Sequence, residues 1–212
     1  MFAREGYPYM ITPALMAITL GGLGYVFSSR PAMIAGACFF LLAAFMAYFF
    51  RDPQRNVPED PKLVVSPADG KVTRVESADP GNPESPTVVS IFLSPFDVHI
   101  NRSPIAGEIT DVFYAKGKFL PATKEEASLV NEQNSLTIKG REVTVVCKQI
   151  AGILARRIVC WKRAGDQVGL GERFGLIKFS SRTDLILPPS VRVEIHVGAR
   201  VRGGESIIGR IV

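Results

Sequence analysis

The chain has 212 residues, 47% of them hydrophobic and 21% charged, with a mean hydropathy of +0.18 and a formal net charge of +5. That length suits one domain of about 100 to 200 residues plus an appendage and excludes a large multidomain machine. The composition is too apolar for a disordered chain and rich for a purely soluble one, and the basic balance suits an anionic membrane or substrate better than nucleic acid.

Between Gly6 and Phe50 the only charged residue is Arg30, set in the breaker Ser28-Ser29-Arg30-Pro31. It divides two apolar runs, Ile11 to Phe27 and Ala32 to Phe50, of 17 and 19 residues. The pattern predicts a membrane-anchoring helical hairpin over residues 1–50, at the short edge of what a hydrocarbon core of about 30 Å requires, so that it spans or dips in. Glu5 beside Arg4, the missing clean cleavage site and the second run argue against a removed signal peptide. Arg4, Arg51 and Arg55 outnumber Arg30, which favours both ends on the cytoplasmic side of the cell membrane.

Residues 51–62, with Pro53, Pro58 and Pro61, read as a linker, and the body is expected over residues 63–212. There the sequence predicts short strands over Lys71–Val75, Thr87–Leu93, Ile109–Tyr114, Leu136–Ile138, Glu142–Lys148, Ile158–Trp161, Leu176–Phe179, Thr183–Leu187, Arg192–Val197 and Ser206–Val212. Only Lys124–Asn131 offers a helical turn, with a loop as the alternative. This spacing predicts a mainly β fold, a folded-over antiparallel barrel or sandwich. Glycines at 198, 203, 204 and 209 resemble the tight turns of biotinyl and lipoyl barrels.

Cys38, Cys147 and Cys160 are odd in number and far apart, which supports neither a disulfide framework nor a metal site and fits a reducing compartment. With only His99 and His196 available, no metal is expected.

Three segments stand out: Ser66-Pro67-Ala68-Asp69-Gly70, Leu93-Ser94-Pro95-Phe96-Asp97-Val98-His99-Ile100-Asn101-Arg102, and Gly175 to Arg182 with its pair Ser180-Ser181. Together with Phe49 to Arg55, they resemble the short form of the phosphatidylserine decarboxylase family across essentially the whole chain. The resemblance implies conversion of phosphatidylserine to phosphatidylethanolamine in phospholipid biosynthesis. It also implies a covalent pyruvoyl cofactor made from Ser181 by self-cleavage between Ser180 and Ser181. The products, residues 1–180 and 181–212, are then expected to stay associated. If the Ser181 hydroxyl attacks the Ser180 carbonyl, an ester forms, and β-elimination with loss of ammonia leaves the pyruvoyl group. That group takes the substrate amine as a Schiff base and acts as an electron sink.

A bare Ser-Ser pair otherwise reads as a polar turn between strands. The family commonly has glycine where Ser180 stands, which leaves cleavage before Ser180 open; Ser181 is preferred because Arg182 follows it.

His99, an acid or base candidate in processing or decarboxylation, would without the motif be a structural histidine. Asp69 is assigned by the resemblance to self-cleavage, whereas its turn position alone suggests a bond to its own backbone. Asp97 is a candidate support for His99. Arg102 stands where longer relatives have a second histidine, whose role is therefore not transferred; its guanidinium could hold a carboxylate or phosphate, or simply lie at the surface. His196 is expected to be packed or exposed on a strand. The segment Phe119 to Asn134 resembles a family loop and either covers the substrate entrance or is a solvated surface loop.

The expected partners are phosphatidylserine and an anionic membrane, without nucleic acid, and a homo-oligomer is compatible with the sequence. The rival functions are a membrane-tethered, biotinyl-like adaptor, a serine hydrolase using Ser181 with His99, and a decarboxylase of a related serine ether phospholipid. The adaptor and the hydrolase predict an uncut chain.

Overall fold

The protein is described here by a computed structural model covering residues 1–122, 124, 126–153, 157–179 and 181–212. It divides into two compact units, Met1–Gln54 and Arg55–Val212.

The first unit is the hairpin of α1 (Tyr7–Val26) and α2 (Arg30–Phe49). Each helix has 20 residues, about 30 Å at 1.5 Å per residue. The breaker works through Ser28, held at φ +49°, and through Pro31, which opens α2 where its missing N–H costs nothing. Small residues bring the helices together. A Cβ on Gly36 would lie 2.7 Å from the Gly21 nitrogen and 3.1 Å from the Ala17 carbonyl oxygen. At the open end, Ala3 N–H donates to the Phe50 carbonyl (2.9 Å) and Asp52 N–H to that of Met1 (2.8 Å). Both ends of the hairpin therefore lie together.

The second unit is mainly β, as the strand pattern predicts. Its strands are β1 (Leu63–Val65), β2 (Gly70–Ser77), β3 (Thr87–Leu93), β4 (Ile100–Arg102), β5 (Gly107–Ala115), β6 (Gln133–Lys139) and β7 (Thr144–Ala151). They continue with β8 (Arg157–Cys160), β9 (Gln167–Val168), β10 (Arg173–Lys178), β11 (Ser181–Leu187), β12 (Val191–Val193), β13 (Arg200–Val201) and β14 (Ile207–Ile211). A single helical turn, α3 (Ala127–Val130), occupies part of the predicted helix.

An eight-stranded antiparallel sheet, ordered β13-β2-β3-β11-β7-β6-β5-β9, curls into a half barrel beside two three-stranded sheets, β1-β14-β12 and β4-β10-β8. The core draws Val64 and Ile208 from the first small sheet, Phe174 from the second, and Ile91, Ile109, Leu136 and Leu185 from the large one. β11 lies in the middle of the large sheet, between β3 and β7, and is buried on both faces except at Ile186.

Two differences from the strand reading bear on function. The strand predicted over Arg192–Val197 stops at Val193, so His196 is exposed outside any strand. Four short strands, β1, β4, β9 and β13, were not predicted. Part of the expected linker also lies on the body: Arg55 pairs with Asp69 and Val57 lies against Gly171.

Candidate active site

Ser181 is the first residue of β11, in register with Leu93 of β3 and Ala151 of β7. It is fully buried, and its Oγ has no hydrogen-bond partner among the described residues. A buried polar atom left unpaired costs about 1 to 3 kcal/mol, so a buried hydroxyl without a described partner is a candidate for a chemical role. Two residues earlier, Phe179 adopts φ +61°, the left-handed region that a bulky side chain resists at a cost on the order of 1 to 3 kcal/mol. This strained point lies where the chain leaves β10 in one sheet and enters β11 in another. Ser180 lies outside the described residues.

His99 is buried immediately before β4, and its carbonyl accepts from Ile177 N–H (3.3 Å), extending the β4–β10 ladder. It is thereby set beside the strand that leads into residue 181. Its Nδ1 lies 3.0 Å from the Asp97 carbonyl oxygen. A carbonyl can only accept, so Nδ1 carries the proton in this bond, and Nε2 of the neutral ring keeps the lone pair a base requires.

Asp97 meets His99 through its backbone. Its carboxylate accepts from Ser94 N–H (2.8 Å) and approaches Arg200 (3.5 Å).

Asp69 reaches the same end of the sheet. Phe92 of β3 is the register partner of both Lys71 and Arg182, so Asp69 and Ser181 sit across β3, two strand spacings or roughly 10 Å apart at the backbone. Gly70 is required beside it, since its φ is +150° and a Cβ there would collide with the Phe92 carbonyl. Arg55 Nη2 donates to both Asp69 oxygens (2.9 and 2.8 Å), and Gly203 N–H donates to Oδ1 (2.8 Å). Burial raises the Asp69 pKa and outweighs the lowering by Arg55 and Gly203.

Arg102 is buried rather than superficial and donates through Nη1 to the Gly171 carbonyl (3.0 Å). Arg182 and Asp184, also buried, pair at 2.9 Å. Arg182 Nη1 reaches the carbonyls of Ala122 (3.3 Å) and Lys124 (3.2 Å), tying the Phe119–Asn134 segment to the residue after Ser181. Asn131 clamps the same segment through the Leu120 and Ala151 carbonyls (2.8 and 2.7 Å).

Sequence reasoning did not single out Asn101, Asn134, Gln149 and Thr183, which form a buried chain of side-chain bonds. Asn134 Nδ2 donates to Gln149 Oε1 (2.9 Å), Gln149 Nε2 to Asn101 Oδ1 (2.8 Å), and Asn101 Nδ2 to Thr183 Oγ1 (3.0 Å). The signals in the sequence were that Asn101 lies inside the His99 motif and Asn134 at the end of the loop-like segment; Gln149 and Thr183 are ordinary strand residues until the fold apposes them. Arg55 was likewise read only as part of the segment following the anchor.

The family model for phosphatidylserine decarboxylase matches residues 42–209. The phosphatidylserine decarboxylase proenzyme of Solibacter usitatus is 52% identical over 184 residues, covering 84% of this chain and 87% of the relative. That of Geobacter metallireducens is 44% identical over 212 residues, covering 98% and 95%, and that of Burkholderia multivorans 39% over 218 residues, covering 100% and 96%. With a family match spanning the strained corner, the orphaned serine and the two motif segments gathered beside it, the chain belongs to the phosphatidylserine decarboxylase family.

Proposed function

We propose that this protein is the proenzyme of a membrane-anchored decarboxylase that converts phosphatidylserine to phosphatidylethanolamine, and that it activates itself at the Ser180–Ser181 bond. The observation that carries the reading is the buried Ser181 hydroxyl, without a hydrogen-bond partner among the described residues, next to a strained turn.

In processing, Ser181 Oγ attacks the Ser180 carbonyl carbon. The C–N bond breaks, the nitrogen of residue 181 takes the hydroxyl proton, and an ester joins the two halves. Removal of the α-proton of residue 181 then expels the Ser180 carboxylate. Water replaces the nitrogen, which leaves as ammonia, and residue 181 becomes a pyruvoyl group. The site fits that group, because residue 181 is held from both sides by strands while its side chain makes no hydrogen bond to any described residue that the conversion would break. Once present, the pyruvoyl group supplies a carbonyl that withdraws electrons from the substrate's carboxylate-bearing carbon.

The chain's own residues do the rest. Asp69, fixed by Arg55 and Gly203, is the carboxylate assigned to processing. With Nδ1 engaged by the Asp97 carbonyl, His99 has Nε2 to hold or deliver a proton, and reprotonation of the product carbon is the step that needs it. Arg182 keeps the Phe119–Asn134 segment against the site. Residues 1–50 anchor the protein in the cell membrane, and the arginine bias assigns the catalytic body to the cytoplasmic face.

Mass spectrometry of the detergent-extracted chain tests this directly. Residues 1–180 and 181–212 are expected as separate masses, the smaller one blocked to Edman degradation, and Ser181→Ala is expected as one uncut chain without decarboxylase activity. An uncut wild-type chain that still decarboxylates phosphatidylserine would rule out the pyruvoyl mechanism.

A further inference from the structure

The side-chain relay that ends at Thr183 joins segments from every motif around the site. Asn101 lies two residues after His99, and Thr183 two residues after Ser181. Both segments run away from the same corner. His99 meets Ile177 near the end of β10, and Asn101 is in register with Gly175, two residues further from the corner. Ser181 opens β11 just past that corner, with Thr183 two residues further in. One contact between Asn101 and Thr183 therefore couples the backbone that carries His99 to the strand that begins at residue 181. Asn101 Nδ2 also lies 3.4 Å from the carbonyl of Pro67, which joins the Asp69 segment to the relay.

The relay is directional and dry. Asn134, Gln149, Asn101 and Thr183 are buried, and each amide donates to the next, from β6 through β7 and β4 to β11. In a low-dielectric interior such bonds strengthen one another and are costly to leave half made. A packed apolar contact would fill the same space without fixing orientation.

We propose that Asn134, Gln149, Asn101 and Thr183 are positioning residues that hold His99 against residue 181, and that the Asn101–Thr183 bond keeps this alignment once the covalent link between β10 and β11 is cut. The inference rests on the decarboxylase reading above. Before cleavage, the Lys178-to-Ser181 connection carries part of the alignment; afterwards residue 181 is a chain end, and the bonds made by β11 must hold it alone.

The test uses full-length protein in detergent, with phosphatidylserine in mixed micelles and rates normalised to cleaved chain. Thr183→Val keeps the shape and strand propensity while removing the acceptor, whereas Thr183→Ser keeps the acceptor. We expect Thr183→Val to lower kcat on the order of 10-fold with KM changed less than about 2-fold, the signature of misplaced chemistry rather than lost binding, and Thr183→Ser to restore the rate. Gln149→Glu, which retains the acceptor for Asn134 but removes the donor to Asn101, should reproduce the kcat loss in a second background. A Thr183→Val enzyme that matches wild type, or a Thr183→Ser enzyme as slow as Thr183→Val, would overturn the inference. A wild-type chain inactive on phosphatidylserine would overturn the underlying reading, and this inference with it.

Discussion

At Asp69 two opposing effects act on one carboxyl. Burial favours the neutral acid, Arg55 and the Gly203 N–H favour the anion, and burial wins, so the pKa rises above its ordinary 3.8. Because the folded-state value exceeds the unfolded one, the stability this group contributes is fully present below 3.8 and is lost as pH rises through the folded value. If the anion is the form that serves processing, acidification must switch processing off earlier than an ordinary aspartate would allow. Self-cleavage of freshly synthesised proenzyme, followed on a gel across pH, should therefore show an acid limb above 3.8. Asp69→Asn should lack this limb and cleave slowly at every pH. A limb centred at or below the ordinary value would detach Asp69 from the chemistry.

The residues around Asp69 also mark where the sequence was informative. Ser181, His99 and Asp69 could be singled out as candidates because each lies in a motif with its own order and spacing. Their partners were not, because a partner is chosen by tertiary apposition: Arg55 is 14 residues from Asp69, and Gln149 is 48 residues from Asn101. The contact of Asp97 with His99 was expected in kind, yet it runs through the backbone carbonyl while the carboxylate caps its own turn.

Among the elements, β3 was read to the residue because Thr87–Leu93 carries a β-branched run between turn signals. β11 was entered two residues late, at Thr183, because Ser181 and Arg182 look like the polar end of a turn; they are strand residues because the second sheet face is covered too. β4 was missed for the same reason, since Ile100-Asn101-Arg102 is buried yet mostly polar. In the hairpin, both apolar runs were read, but the contact between them depends on which glycine faces the other helix. Gly36 meets Gly21 and Ala17 backbone, whereas a Cβ on Gly22 would meet nothing within 4 Å. Gly36→Leu should therefore lower the melting temperature of the helical circular dichroism signal in detergent, and Gly22→Leu should leave it unchanged. Equal effects of the two would mean that the helices do not pack through this face.

At the scale of the whole molecule, the two units answer separate demands. The hairpin satisfies its backbone internally, as a segment placed in lipid would have to, while the body brings the candidate site residues to one corner of a half barrel. If the chain is cut as proposed, β11 belongs to the shorter product, yet it is a central strand with partners on both sides. Such a cut would leave every ladder of the large sheet intact and turn one folded chain into two that complete each other, joined by backbone pairing and by the core residues Leu185 and Leu187. A protein arranged in this way can be assembled by a first-order search only once. After processing, recovery from denaturant becomes an encounter between two polypeptides, whose half-time should shorten as concentration rises. The uncut Ser181→Ala chain should refold in detergent at a rate independent of concentration. The order of the refolding reaction thus records whether a given molecule has already been activated.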